Sequence, residues 1–405
     1  MPDTNDYRSY KGCKINYSPE RVLPEEFFIA PHTLLFENGI IPQQVSGFSF
    51  NNNKVFFSSN GDYPFDIFAA IFYLLSRYEE YLPHKKDMYG RYAHENSLAF
   101  REEFLHLPLI NIWIRDFRKQ LQLKFPDQTF PEPEPKPSFM ATYDIDQAYS
   151  YRNKSFIKNA NGFFQALIKG NRNSIKERWN VLAEKEKDPF DAYQWMDQLN
   201  HKYKLKAFYF FIVAEKNGLY DKNILPSKKE LKDIINRHSD QYSVGIHPSW
   251  QSGDDISLIE KEKKILERIC EKAIVDSRQH YIRFTLPQTF RHLINAGIEN
   301  DFSMGYGSIN GFRASVASPF YWFDLEKNEA TRLVLYPFCY MDANSFYEQK
   351  YTPEQAFEEM IQYHKIVKEV NGTMISIWHN NFLGTDNFYT GWKEVYEKFI
   401  REISS

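Results

Sequence analysis

Prolines at every second position, Pro131, Pro133, Pro135 and Pro137, cut this chain in two. Proline has no backbone N–H and a fixed φ, so such a run can enter neither a helix interior nor a central strand. The segment PDQTFPEPEPKPSF therefore reads as an extended linker. It predicts an N-terminal α+β unit over residues 1–130, a proline-rich linker over 131–138 and a second unit over 139–405.

The two sides of the linker are patterned differently. Upstream lie a strand candidate at Lys54–Ser58, an apolar helix from Phe65 to Tyr78 that runs into Arg77-Tyr78-Glu79-Glu80-Tyr81, and a second helix from Pro108 to Leu123. Downstream, β-rich runs at Phe139–Ile145, Lys206–Val213, Ser243–His247, His280–Phe284, Leu333–Phe338 and Thr373–Trp378 alternate with helical stretches. Those stretches are Pro189–Tyr203, Ser227–Arg237, Ile256–Ile274, Leu286–Ala296, Pro353–Glu369 and Gly391–Ile400. Repeated strand–helix units imply a mainly parallel sheet. A unit this long suits a distorted (β/α) barrel of about seven strands with insertions, making the fold class α/β.

Composition narrows the function. Apolar residues at 42%, charged residues at 25% and a net charge of −3 fit a soluble globular protein. No basic stripe marks a nucleic-acid partner. No apolar run approaches the ~20 residues of a membrane span, and MPDTNDYRSYKGCKINYS has no apolar signal core, so a cytoplasmic location is expected. Cys13, Cys270 and Cys339 are too few and too scattered for a disulfide framework or a cysteine zinc site, which leaves Asp and His as the metal ligands to consider.

In parallel α/β folds the chemistry gathers at the C-terminal ends of strands. Polar residues that follow the apolar runs are Asp144 and Asp146, then His247, then Arg278, His280 and Arg283 in or beside the fourth run, and finally His379. Two carboxylates at i and i+2 serve as metal ligand and base if they enter one cavity. Treated as a strand, Ser277–Phe284 places Arg278 and His280 on one face, where the arginine orients a nearby aspartate. His247 before Pro248 suits metal ligation, and His379 suits a general acid. Each element also has a plainer reading: strand-end or helix-capping aspartates, histidines bonded to backbone, a surface ion pair. Arg313, Trp250 and Trp378 are candidate substrate contacts, and Pro319–Asp324, with Trp322, is either a sugar-stacking wall or core.

Read in order, these elements resemble the polysaccharide deacetylase family (the NodB homology domain, or carbohydrate esterase family four) over residues 138–400. Thr142-Tyr143-Asp144-Ile145-Asp146 resembles its T-F-D-D-G motif and His247 begins its H-x-x-x-H motif. Arg278–Arg283 resembles its Arg-bearing strand, with the segment from Leu293 to Tyr306 following, and Ile377-Trp378-His379 resembles its final motif. The D-x-D, G-I-H-P-S and R-Q-H variants are similar to a divergent subgroup that carries an uncharacterised N-terminal domain, like the segment here with Phe65–Ala70 and Ser76–Tyr81. The resemblance implies a divalent metal, usually zinc, with Asp146 and His247 as ligands, Asp144 as base, Arg278 holding Asp144, and His379 as acid. Two positions depart from the pattern: Gln251 stands where the second metal histidine would be, and Ile145 displaces the second aspartate by one. His280 is expected to fill the vacant ligand place, on its position and not from the family pattern.

The expected activity is hydrolysis of the N-acetyl group of an amino sugar, in a glycan or a saccharide precursor. The alternatives are a degenerate, non-catalytic barrel that binds carbohydrate and a metal-independent hydrolase of other C–N bonds. The N-terminal unit would cover the barrel, contribute to substrate binding or mediate a homo-oligomer, and the sequence does not choose among these.

Overall fold

The computed structural model describes all residues except 1–3, 132–135, 155, 169, 171 and 405. Pro133 and Pro135, at the centre of the expected linker, lie outside the described residues. A nine-stranded sheet dominates the chain. Its strands are β1 (Ser138–Ile145), β2 (Lys206–Phe211), β3 (Ser243–Ile246), β4 (Asp276–Ser277), β5 (Asn300–Asp301), β6 (Phe320–Asp324), β7 (Glu329–Leu335), β8 (Tyr340–Met341) and β9 (Thr373–His379). The central strands are buried on both faces, which is why they read as nearly continuous apolar runs.

The order across the sheet is β6-β7-β5-β4-β3-β2-β1-β9-β8, and every pairing is parallel except that of β6 with β7. Leaving β6 aside, the strands follow one another in cyclic chain order, as in a (β/α) barrel. The ring is not closed: β7 gives its outer edge to the antiparallel strand β6, and among the described residues no pairing joins β7 to β8. Register sets the working end, because in the β1/β9 pair Asp144 stands opposite His379.

Around the sheet run the helices Phe156–Ile168, Arg172–Leu182, Tyr193–Tyr203, Lys229–Ser239, Ser257–Cys270, Gln288–Asn295, Pro353–Glu369 and Trp392–Ile403. The first two, and the strands β5, β6 and β8, have no counterpart in the sequence reading; β5 and β8, at two residues each, have no period to detect. The expected strand at His280–Phe284 does not form. The neighbouring β3 continues into His247-Pro248, and a proline offers no N–H to extend the ladder. Beyond Ser277 the Gln279 N–H donates to the Ser303 hydroxyl instead (2.9 Å), and Tyr281 and Ile282 turn through left-handed backbone (φ 59° and 56°).

Upstream of the linker the apolar helix spans Ile67–Leu75, capped by the Asp66 carboxylate on the N–H groups of Phe68 and Ala69. It stops short of Tyr78 because Arg77 adopts left-handed backbone (φ 55°) and opens a 3-10 turn over Tyr78–Tyr81. The second helix spans Leu109–Lys124. In place of the strand at Lys54–Ser58 there is a hairpin strand at Asn53–Val55. Buried residues from both sides of the linker form one continuous core. Within it Glu80 accepts from Arg77 Nε at 2.8 Å and from Arg313 Nη2 at 2.6 Å, which ties the two sides together by a buried ion pair.

Candidate metal and catalytic centre

The C-terminal ends of β1, β3 and β9, with the turn after β4, bring together Asp144, Asp146, His247, Arg278, His280 and His379. Asp146 is the hub. Its Oδ1 lies 3.2 Å from His247 Nε2, and its Oδ2 lies 3.4 Å from His280 Nε2 and 3.6 Å from His379 Nε2. Ligand atoms of Asp146, His247 and His280 all fall within 4.8 Å of one another.

The far side of each imidazole fixes what the near side offers. His247 donates Nδ1–H to the Arg278 carbonyl at 2.6 Å, and His280 donates Nδ1–H to Asp221 at 3.0 Å. In the neutral tautomer each therefore presents the Nε2 lone pair to Asp146. The buried Asp146 Oδ1 has no hydrogen-bond donor. Acceptors facing acceptors in a buried cluster repel unless a cation lies among them. Burial works against charge on His280, but Asp146 and Asp221 outweigh it and push its pKa up to about 9; Asp146 is held well below the usual carboxylate range, despite burial, by His280, His247 and His379. The cluster collects positive charge, and its two imidazoles and one carboxylate fit a divalent metal such as zinc.

Two further pairs flank it. Arg278, fully buried, donates from Nη1 to Asp144 Oδ1 at 2.8 Å and from Nε to the Phe302 carbonyl at 3.1 Å. Asp144 Oδ2 is 3.7 Å from His247 Nε2. His379 donates from Nδ1 to Asp342 at 2.6 Å, and its backbone N–H bonds the other Asp342 oxygen at 2.7 Å. Burial opposes the charge on His379, but Asp342, Asp146 and Asp144 raise its pKa to about 10.

Asp221 and Asp342 were not singled out by the sequence reading. Asp342 directly follows the two-residue strand β8, so the strand-end rule would have caught it had that strand been visible. Asp221 sits in a loop well beyond β2 and carries no such signal. There it also accepts from the Trp250 N–H at 2.8 Å and from Gln251 Nε2 at 3.2 Å. Gln251, at the missing-histidine position, thus holds the carboxylate that orients His280.

The turn that carries His280 is braced from the N-terminal side. Arg91 Nη1 donates to the carbonyls of Tyr281 (3.1 Å) and Gly307 (2.9 Å), while its Nε pairs with Asp87 at 2.6 Å. A Cβ on Gly307 would stand 2.1 Å from Arg91 Nη1, so only glycine leaves room for the guanidinium.

The three expected substrate contacts separate. Trp250 is half-buried at the rim with Tyr89, Tyr220 and Tyr281. Arg313 is not at the centre: at 1% exposure, its guanidinium is spent on Glu80 and the Gly305 carbonyl. Trp378 is fully buried against Tyr396, because strand alternation turns it away from the face that carries His379. Trp322 is likewise core, packed on Phe290, so it cannot stack on a sugar, while Tyr321 in the same run is exposed. The three cysteines are free thiols.

No helix among the described residues is long and apolar enough to cross a membrane. Residues 1–126 match the model of a family of unknown function, DUF7033. No curated protein matches the chain. Among solved structures, one from Mycobacterium smegmatis assigned as a polysaccharide deacetylase is similar at 12% identity and a TM-score of 0.43, covering 68% of this chain and 87% of that one. Another so assigned, from Pseudomonas aeruginosa, is similar at 11% identity and a TM-score of 0.42, covering 66% and 88%. A mutant of a carbohydrate esterase family four pseudoenzyme with restored enzymatic activity is similar at 11% and 0.31, covering 67% and 72%.

Proposed function

We propose that this chain is a metal-dependent deacetylase that hydrolyses the N-acetyl group of an amino sugar, in a glycan or saccharide precursor. The observation that carries the reading is the convergence of His247 Nε2 and His280 Nε2 on Asp146, each ring fixed by its Nδ1–H and Asp146 Oδ1 left without a donor. Asp146, His247 and His280 would hold the metal, which when bound supplies Lewis-acid polarisation of the acetamide carbonyl and of the attacking water. Arg278 orients Asp144, which takes the proton from that water as its oxygen bonds to the acyl carbon. His379, kept protonated by Asp342, gives its proton to the sugar nitrogen as the C–N bond breaks. Acetate and a free amine leave. The degenerate-barrel reading draws on the histidine missing at Gln251; against it stands His280, whose Nε2 faces Asp146 in that role.

The test is elemental analysis together with deacetylation of a chitooligosaccharide. Zinc or another divalent metal should copurify at one per chain, and activity should vanish with chelator and return with metal. Asp144→Asn should lower turnover by about 10²–10⁴-fold with the fold retained, although its loss of charge opposite the buried Arg278 should lower the melting temperature. Sugar binding without turnover would favour the non-catalytic reading, and activity that survives chelation would overturn the metal.

A further inference from the structure

From Gln147 to Lys176 the sequence has no acidic residue, yet it holds Arg152, Lys154, Lys158, Lys169, Arg172 and Lys176. In a chain of net charge −3 this is a local block of one sign. It coincides with the two helices Phe156–Ile168 and Arg172–Leu182, which follow the strand end that carries Asp146.

Among the described residues, the contacts that hold the hairpin together centre on Arg178 and Tyr151. Arg178 lies over the Tyr151 ring at 4.4 Å and donates to Asn159 at 2.9 Å, and the Tyr151 hydroxyl donates to Glu177 at 3.0 Å. Large apolar side chains point outward. Phe156, Phe164, Leu167 and Ile168, at positions that share one helical stripe, are 87%, 63%, 67% and 70% exposed, and Trp179 on the second helix is 61% exposed. Isolated exposed apolar residues need no explanation, but five on one short hairpin, four of them on one helical stripe, mark an interaction surface.

Charge chooses the occupant. A second copy of this chain, packed through the same patch about a twofold axis, would bring one block of cations against another. Large apolar side chains beside lysines and arginines are instead the pattern of helices that lie in a membrane interface. With 13 and 11 residues the two helices are too short to span a bilayer.

We propose that the two helices Phe156–Ile168 and Arg172–Leu182 dock the protein on an anionic lipid surface, with Phe156, Phe164, Leu167, Ile168 and Trp179 entering the interface and Arg172 and Lys176 meeting headgroups. The proposal does not depend on the deacetylase reading. It is tested by flotation of the full chain with phosphatidylcholine vesicles, with and without phosphatidylglycerol. The wild type should float only with phosphatidylglycerol vesicles and should be released by raised salt. The pair Phe164→Asp and Leu167→Asp should weaken partition at least roughly tenfold, as should Arg172→Glu with Lys176→Glu. All these side chains are exposed, so thermal melts should not change. Absence of flotation by the wild type, or equal flotation by both variants, overturns the proposal. So does a dimer in size exclusion that Phe164→Asp with Leu167→Asp dissolves while vesicles stay unbound.

Discussion

A histidine whose Nδ1–H is already committed has one nitrogen left to work with, and at this centre the commitment differs from ring to ring. His247 spends its donor on a backbone carbonyl, whereas His280 and His379 spend theirs on the buried carboxylates Asp221 and Asp342. A carboxylate behind a ligating imidazole fixes its orientation and raises its basicity, and removing one typically costs 10- to 100-fold in metal affinity. If the proposed metal is bound there, Asp221→Ala should weaken it by about that factor in competition with a chelator, and unchanged affinity would remove Asp221 from the centre. Asp144, Asp146, His247 and His379 were legible as polar residues that close apolar runs. Trp378 was misjudged for the opposite reason: adjacency in sequence is opposition in a strand, so the neighbour of a site residue faces the core.

At the scale of elements, the least legible piece is the turn from Gln279 to Arg283. Its composition favours a strand, but Pro248 on the adjacent segment has no N–H to give, though its carbonyl accepts from the His280 N–H, and two non-glycine residues take up left-handed backbone. A turn of that kind persists when its surroundings over-determine it. Asp87 and Arg91 supply part of that from the N-terminal side by gripping the Tyr281 carbonyl. Arg91→Gln should loosen His280 without touching any ligand: the zinc dissociation constant should rise several-fold and the d–d spectrum of the cobalt-substituted protein should change. An identical spectrum in the variant would leave Arg91 a mere interface residue.

The whole molecule shares one core across the linker that its prolines announce. Residues 139–405 expressed alone should expose the surface that packs on Phe72 and Leu105, and should aggregate or show a broad, non-cooperative melt; a soluble fragment with a sharp transition would argue for two independent units. The proline pattern suggests a break and gives no hint of this shared packing, because binary patterning shows that a face is apolar and not what covers it. Global stability should also depend on pH through His238. Burial, partly offset by the Ile234 carbonyl and Asp197, lowers its pKa from the ordinary 6.5 to about 4. The unfolded chain takes up this proton first, so stability present above about pH 6.5 is lost as pH falls toward 4, by up to about 3 kcal/mol. His238→Phe should flatten that part of the pH–melting profile, and an unaltered profile would rule His238 out as its source. One more property follows from the register of β1 with β9. Because Asp144 and His379 sit on the same rung, the parallel ladder acts as a ruler that sets the separation of the proposed base and acid to the width of one strand spacing. The sheet, then, is more than a scaffold: in the proposed reaction its hydrogen-bond lattice would meter the distance between the two ends of the proton transfer.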